Sequence, residues 1–213
     1  MEIKDHTPSL AHLRDFVRSR NAGRPTHVAQ DRKQVTAPAE DRFFAFAYEK
    51  FITGVIAYIN NGSRGGAMAQ AAAAASDRMR PSYEASAVGM GRLLPILNAT
   101  AVRRRQRNVV AFSEDGVALV SLRVHLLIDL PDTTRLGVLM YFSEKPLTAA
   151  ELAIVETAVA LAVRDIDPQA IPAIIMVRTG GLRIIEEAAL APSRVDSLRD
   201  ESLAYRDEWA ASA

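Results

Sequence analysis

Apolar residues recur three and four positions apart over 148–164, at Leu152, Val155, Val159 and Val163, with Ile154, Ala158 and Leu161 beside them. That is the stripe of an amphipathic helix. Its start is marked twice, by Thr148 and Glu151 at capping-box spacing and by Leu147 and Leu152 as a hydrophobic staple, and Ile166-Asp167-Pro168 ends it. Over 40–60 the same period joins Phe43, Phe44, Ala47, Phe51, Val55 and Ile59, with Tyr48, Ile52 and Ile56 widening the stripe into that of a mostly buried helix. Gly62, Gly65 and Gly66 break it.

Three weaker helical patterns lie nearby. Thr7 and Pro8 open a short helix carrying Leu10, Leu13 and Val17, which ends near Gly23. The stretch 67–76 is nearly all alanine, the best helix former, and its small side chains admit a close neighbour. Pro81 can open a helix that Pro95 closes. Between the first two, 24–38 mixes Pro, Gln, Thr and charge without apolar period and reads as an exposed linker.

Beyond Asn98 the period shortens to two. A strand at 109–112 and an acidic turn at 113–116 lead into a long extended run over 117–130. Val120, Leu122, Val124, Leu126 and Ile128 share one face of that run, while Ser121, Arg123 and His125 share the other. A turn at 131–134 precedes a strand at 136–142, and a further strand follows the long helix at 173–177. Gly180 and Gly181 turn the chain into an apolar segment at 182–190, and a charged helical tail from Pro192 carries Trp209. The predicted fold class is α/β or α+β, a helical N-terminal half on a mainly antiparallel sheet of about four strands with a covering helix. The expected layout is a basic N-terminal arm with a short helix (1–38), one core domain (39–190, helical to 97) and an acidic helical tail (191–213).

The 213 residues are 49% hydrophobic, enough for one real core, and 26 basic against 25 acidic residues give no strong global field. Charge is local instead: 1–38 carries a net +3 and 181–213 a net −3, so arm and tail are complementary. The absence of cysteine excludes disulfides, thiolate zinc sites and cysteine nucleophiles. Positions 1–16 lack the apolar run of a signal peptide, and no stretch approaches the roughly 20 apolar residues of a membrane helix, so the expectation is a cytoplasmic protein without membrane contact.

The densest charge cluster is Arg103, Arg104, Arg105 and Arg107, directly before the strand at 109 and without an intervening acid. Guanidinium forks suit phosphate oxygens, and each phosphate neutralised adds salt-dependent affinity. The plainer reading pairs these arginines with the acidic tail. His125 is the one histidine in the predicted sheet and has no partner at metal spacing; it reads as a hydrogen-bonded structural residue. The glycines at 62–66 lack a P-loop lysine, and Gly89-Met90-Gly91 lacks the strand-to-helix context of a dinucleotide loop.

The order helix, three strands, helix, strand over about 40–179 resembles the core of the PD-(D/E)xK nuclease superfamily, with Glu49 on the first helix and Asp132, Glu144 and Lys145 at the sheet. The resemblance implies a restriction-endonuclease-like fold in which an acid on one strand, and an acid and a lysine one residue apart on the next, hold a divalent metal and position the attacking water. Here Glu144 and Lys145 are adjacent, which sends them to opposite faces of a strand. Asp132 falls in a turn, with Asp129 as its substitute. A nuclease therefore requires Asp129 or Asp132 to meet Glu144 within roughly 4–5 Å.

Missing catalytic spacing and local basic clusters together favour a non-catalytic, oligomeric binding protein of bacterial or mobile-element character. It would contact DNA or RNA through Arg103, Arg104, Arg105 and Arg107, helped by Arg24, Arg32 and Lys33, with no catalytic residue, metal or cofactor assigned. The alternatives are a structural or protein-partner-binding subunit and a divergent metal-dependent nuclease.

Overall fold

Alternation along the central strands buries both faces of one sheet, so helices are required on each side. The structure, a computed structural model, describes residues 6–19, 23–37, 47–105 and 107–212. The expected helix start at 40 and the residues Phe43 and Phe44 lie outside the described residues. In chain order the elements are α1 (Leu10–Arg18), α2 (Arg24–Thr36), α3 (Glu49–Asn60), α4 (Ala67–Ala73), α5 (Arg80–Leu97), β1 (Ala101–Arg104), β2 (Val109–Phe112), β3 (Ala118–Leu122), β4 (Leu126–Asp129), β5 (Arg135–Tyr141), α6 (Ala149–Ile166), β6 (Ile171–Met176), β7 (Gly181–Ile184), a 3-10 turn at Glu187–Leu190, and α7 (Pro192–Ala211). The class is α+β, with helices filling the N-terminal half.

The main sheet has five strands in the order β1-β4-β5-β6-β7, and β2 and β3 form a separate hairpin. Neighbours pair antiparallel except β5 and β6, which are parallel because α6 carries the chain back across the sheet. Leu136, Val138 and Met140 of β5, with Ala173 and Ile175 of β6, bury under α3, α4 and α5. Leu139, Tyr141 and Ile174 face the other way, into a core built with α1, α6, α7 and the hairpin. Gly137 lets α6 lie close on β5: a Cβ there would sit 2.6 Å from a methyl of Val163.

The capping box forms as predicted. Thr148 Oγ accepts from the Glu151 N–H, and the Glu151 carboxylate accepts from the Thr148 N–H at 2.7 Å. The alanine-rich α4 packs on α3, where Gly54 brings the two helices into contact with the Ala67 carbonyl.

Four expectations need correction. The stretch read as a linker from 24 to 38 is helix α2, held on α7 by few apolar groups: Val28 is fully buried and Asp31 nearly so. Arg103 and Arg104 do not precede the first strand but belong to it, as β1. The continuous strand over 117–130 divides at Arg123-Val124-His125, where the chain leaves the hairpin for the main sheet. There His125 N–H donates to the Val138 carbonyl and its Nδ1 accepts from the Met140 N–H at 3.0 Å, so an imidazole occupies the place of a ladder carbonyl. Finally, Pro95 does not close α5 but sits in its last turn, where the missing N–H deprives only the carbonyl of exposed Gly91. Asn98, at φ 48°, provides the left-handed cap instead.

Candidate nucleic-acid interface

Among the described residues strand β1 forms one edge of the main sheet and pairs with β4. The Thr100 N–H bonds the Asp129 carbonyl at 2.9 Å to start the ladder, and the Arg105 N–H bonds the His125 carbonyl at 3.0 Å to extend it. Alternation then sorts the arginines. Val102 is buried beneath α3, and Arg104 on the same side reaches the Glu49 carboxylate and, at 3.4 Å, the Thr53 hydroxyl. Arg123 binds the other oxygen of Glu49, so one carboxylate holds two guanidinium groups. Glu49, the acid that the nuclease resemblance placed on the first helix, is thereby engaged in ion pairs.

Arg103 faces the opposite side, and half-buried Arg105 follows the end of the strand. Arg103 keeps 56% of its side chain exposed, with Asp129 Oδ2 at 3.9 Å as its acidic neighbour. That carboxylate is already taken by Arg135, whose Nε lies 2.6 Å from Asp129 Oδ1 and whose Nη1 lies 2.9 Å from Asp167. Its two hydrogen bonds hold the Arg135 guanidinium above its ordinary range, and Arg135 in turn holds the Asp167 carboxyl below its own. Arg105 and exposed Arg107 have no ion pair among the described residues.

The assisting cations lie elsewhere. Arg24 donates to Glu201 on α7 at 2.5 Å and stacks over Phe16 at 4.1 Å, and Arg32 donates to the Trp209 carbonyl at 3.2 Å. Lys33 alone of this group is exposed without an ion pair among the described residues. Arm and tail thus pair within one chain, through α2 and α7. The fold gathers Arg103, Arg105 and Arg107 at one edge and does not bring Arg24, Arg32 or Lys33 to it.

The nuclease residues do not converge. Asp129 pairs in register with Arg135 at the start of β5, while Glu144 lies beyond its end and pairs with Arg178 at 3.2 Å. Seven strand residues separate the two ends, roughly 23 Å of extended chain. Asp132 caps its own turn through the Thr134 N–H at 3.0 Å. Among the described residues no group of three or more His, Asp or Glu is arranged to hold a metal ion. No described helix is long and apolar enough to cross a membrane.

His125 has the structural setting that its isolation in the sequence suggested. Burial, with Arg123 and Arg104 nearby, pushes its pKa down to about 3, and the Met140 bond places the imidazole proton on Nε2. Sequence reasoning missed a different grouping: His12 and His27 meet at Asp31, and His6 lies against Tyr205 and Trp209. The signal was His27 and Asp31 at i, i+4 spacing, visible only once 24–36 is taken as a helix.

No protein-family model, no curated protein and no solved structure matches this chain.

Proposed function

We propose that this protein is a non-catalytic binding subunit that takes the phosphate backbone of nucleic acid along its β1 edge. The observation that carries this reading is exposed Arg103 on an edge strand, followed by half-buried Arg105 just past the strand's end and by exposed Arg107, while Arg104 is turned inward onto Glu49. Two residues along a strand span roughly 6.6 Å. That is close to the separation of successive phosphates on one nucleic-acid strand, so the row suits backbone contact rather than base reading. Arg24, Arg32 and Arg104 have intrachain partners and serve the fold.

The test is a titration of fluorescent single- and double-stranded DNA and RNA with purified protein at low and physiological salt, with Mg²⁺ present and cleavage monitored. Salt-sensitive binding that the combined variant Arg103→Ala, Arg105→Ala, Arg107→Ala loses supports the reading. Equal affinity for wild type and variant sinks it, and cutting of the substrate would restore the nuclease alternative.

A second reading, a protein-partner-binding or self-associating subunit, is favoured by Val88 and Ile96, which stand 54% and 83% exposed eight residues apart on α5. Concentration-dependent mass in sedimentation, abolished by Ile96→Glu, would support it.

A further inference from the structure

Three of the four histidines of this chain gather where α1 and α2 dock on α7. The His27 Nε2 lies 3.3 Å from Asp31 Oδ2, and the His12 Nε2 lies 3.9 Å from Asp31 Oδ1. Tyr205 of α7 donates its hydroxyl to the same carboxylate at 3.1 Å. His6, just ahead of α1, stacks on Trp209 with centroids 3.8 Å apart. We propose that His6 and His12, with His27 and Asp31 beside them, form an acid-sensitive latch, which holds α1 and α2 on α7 while the His6 and His12 imidazoles are neutral and lets go when these two take up protons.

The argument rests on acceptors. An imidazolium carries two N–H donors and no acceptor, so each protonated ring needs two partners. Among the described residues the carboxylate within 4 Å of these rings is Asp31, shared by two imidazoles and a phenol. The His6 Nε2 and His12 Nδ1 are buried with no hydrogen-bond partner among the described residues, and so is the Trp209 Nε1. Neutral rings tolerate this; charged ones in the same place do not.

The surrounding charges add to the asymmetry. On α1, Arg14 and Asp15 pair with each other at 2.6 Å. On α2 and α7, Arg24 is matched by Glu201, while Arg32 and Arg206 point to backbone carbonyls and bring positive charge without an acid. The groove that His27 borders adds Glu144 and Lys145. One turn on, Arg18 is matched by Glu151.

The sign follows from these surroundings. Burial lowers His6, reinforced by His12 and Arg206; burial also lowers His12, against the pull of Asp31. Both therefore bind protons more readily when released, so docking is complete above pH 6.5 and weakens as the pH falls below it. Burial raises Asp31, which alone would act in the opposite sense, but two lowered imidazoles, His6 and His12, stand against that one carboxylate.

Hydrogen exchange of the intact protein across a pH series, corrected for the intrinsic pH dependence of exchange, tests the latch. Protection of α1 and α2 amides should fall about tenfold per pH unit for each proton taken up on release, while β5 and β6 stay protected. Trp209, the single tryptophan, should shift its emission to the red over the same range. Unchanged protection of α1 and α2 down to about pH 5.5, or loss only together with β5 and β6, overturns the proposal. A variant with His6→Gln, His12→Gln and His27→Gln should keep its helices docked at low pH, and a loss equal to that of wild type also overturns it. Should that variant not fold, the wild-type series decides alone.

Discussion

Arg18 and Glu151 stand 133 positions apart, yet the guanidinium grips the carboxylate through two hydrogen bonds of 2.7 and 2.9 Å and so ties α1 to the first turn of α6. Glu151 is fully buried and also completes the capping box. Burial pushes its carboxyl up, but the Arg18 and Thr148 bonds outweigh that and leave it below the ordinary range. Glu151→Ala should cost about 2–4 kcal/mol in urea unfolding, since Arg18 and the Thr148 N–H lose their partner together. The carboxyl is depressed in the folded state, so its contribution is complete above its unfolded pKa of 4.5 and is lost as pH falls through the folded value. The stability of the variant should therefore be less acid-sensitive than that of wild type.

His125→Ala removes the acceptor for the Met140 N–H in the middle of the main sheet. A buried donor left unpaired costs about 1–3 kcal/mol, measurable as a lower midpoint in denaturant. The folded pKa of about 3 lies below the ordinary 6.5, so this residue's contribution is intact above pH 6.5 and fades as pH falls toward 3, by up to about 1.4 kcal/mol per pH unit. Arg103→Ala, at the exposed edge, should change stability by less than about 0.5 kcal/mol, which separates folding arginines from binding ones.

Two glycines of α5 should behave oppositely. A Cβ on Gly89 would sit 2.1 Å from the Val177 carbonyl oxygen, a backbone atom that cannot move aside, whereas one on Gly91 would meet nothing within 4 Å. Gly89→Ala should destabilise by roughly 3 kcal/mol or prevent folding, and Gly91→Ala should stabilise by about 0.5–1 kcal/mol because alanine favours a helix. Thermal unfolding of the pair checks both. Gly89 is thus explained by the seat of α5 on the turn after β6.

What could be read in advance was what short-range chemistry specifies. The capping box of α6, the break at Gly62, the turn at Gly180-Gly181 and the hairpin at 113–116 carry their signals within four residues. What could not be read depended on distant partners. Strand β1 hides because Arg104 spends its charge on Glu49, 55 positions earlier, so a polar sequence fills an inward site. Helix α2 hides because its inner face is Val28 and Asp31 rather than an apolar stripe. The division of the strand at 123–125 leaves no trace, since the two-residue alternation runs on unbroken while the chain changes sheets.

The same limit applies to the candidate interface. The cluster at 103–107 was legible as charge, but its division into Arg104 facing Glu49 and Arg103 facing the other way needed the register of β1 on β4. For Arg24 and Arg32 composition pointed outward, while the folded chain uses both to fasten α2 onto α7.

The most direct measurement is the dependence of nucleic-acid affinity on salt, plotted as log K against log salt concentration, for wild type and for the variant with Arg103, Arg105 and Arg107 all replaced by alanine. If these three arginines each neutralise one phosphate, the slope should shrink by about 2–3 units in the variant, at roughly 0.7 per phosphate on a single strand and 0.9 on a duplex. Equal slopes for the two proteins would contradict the account.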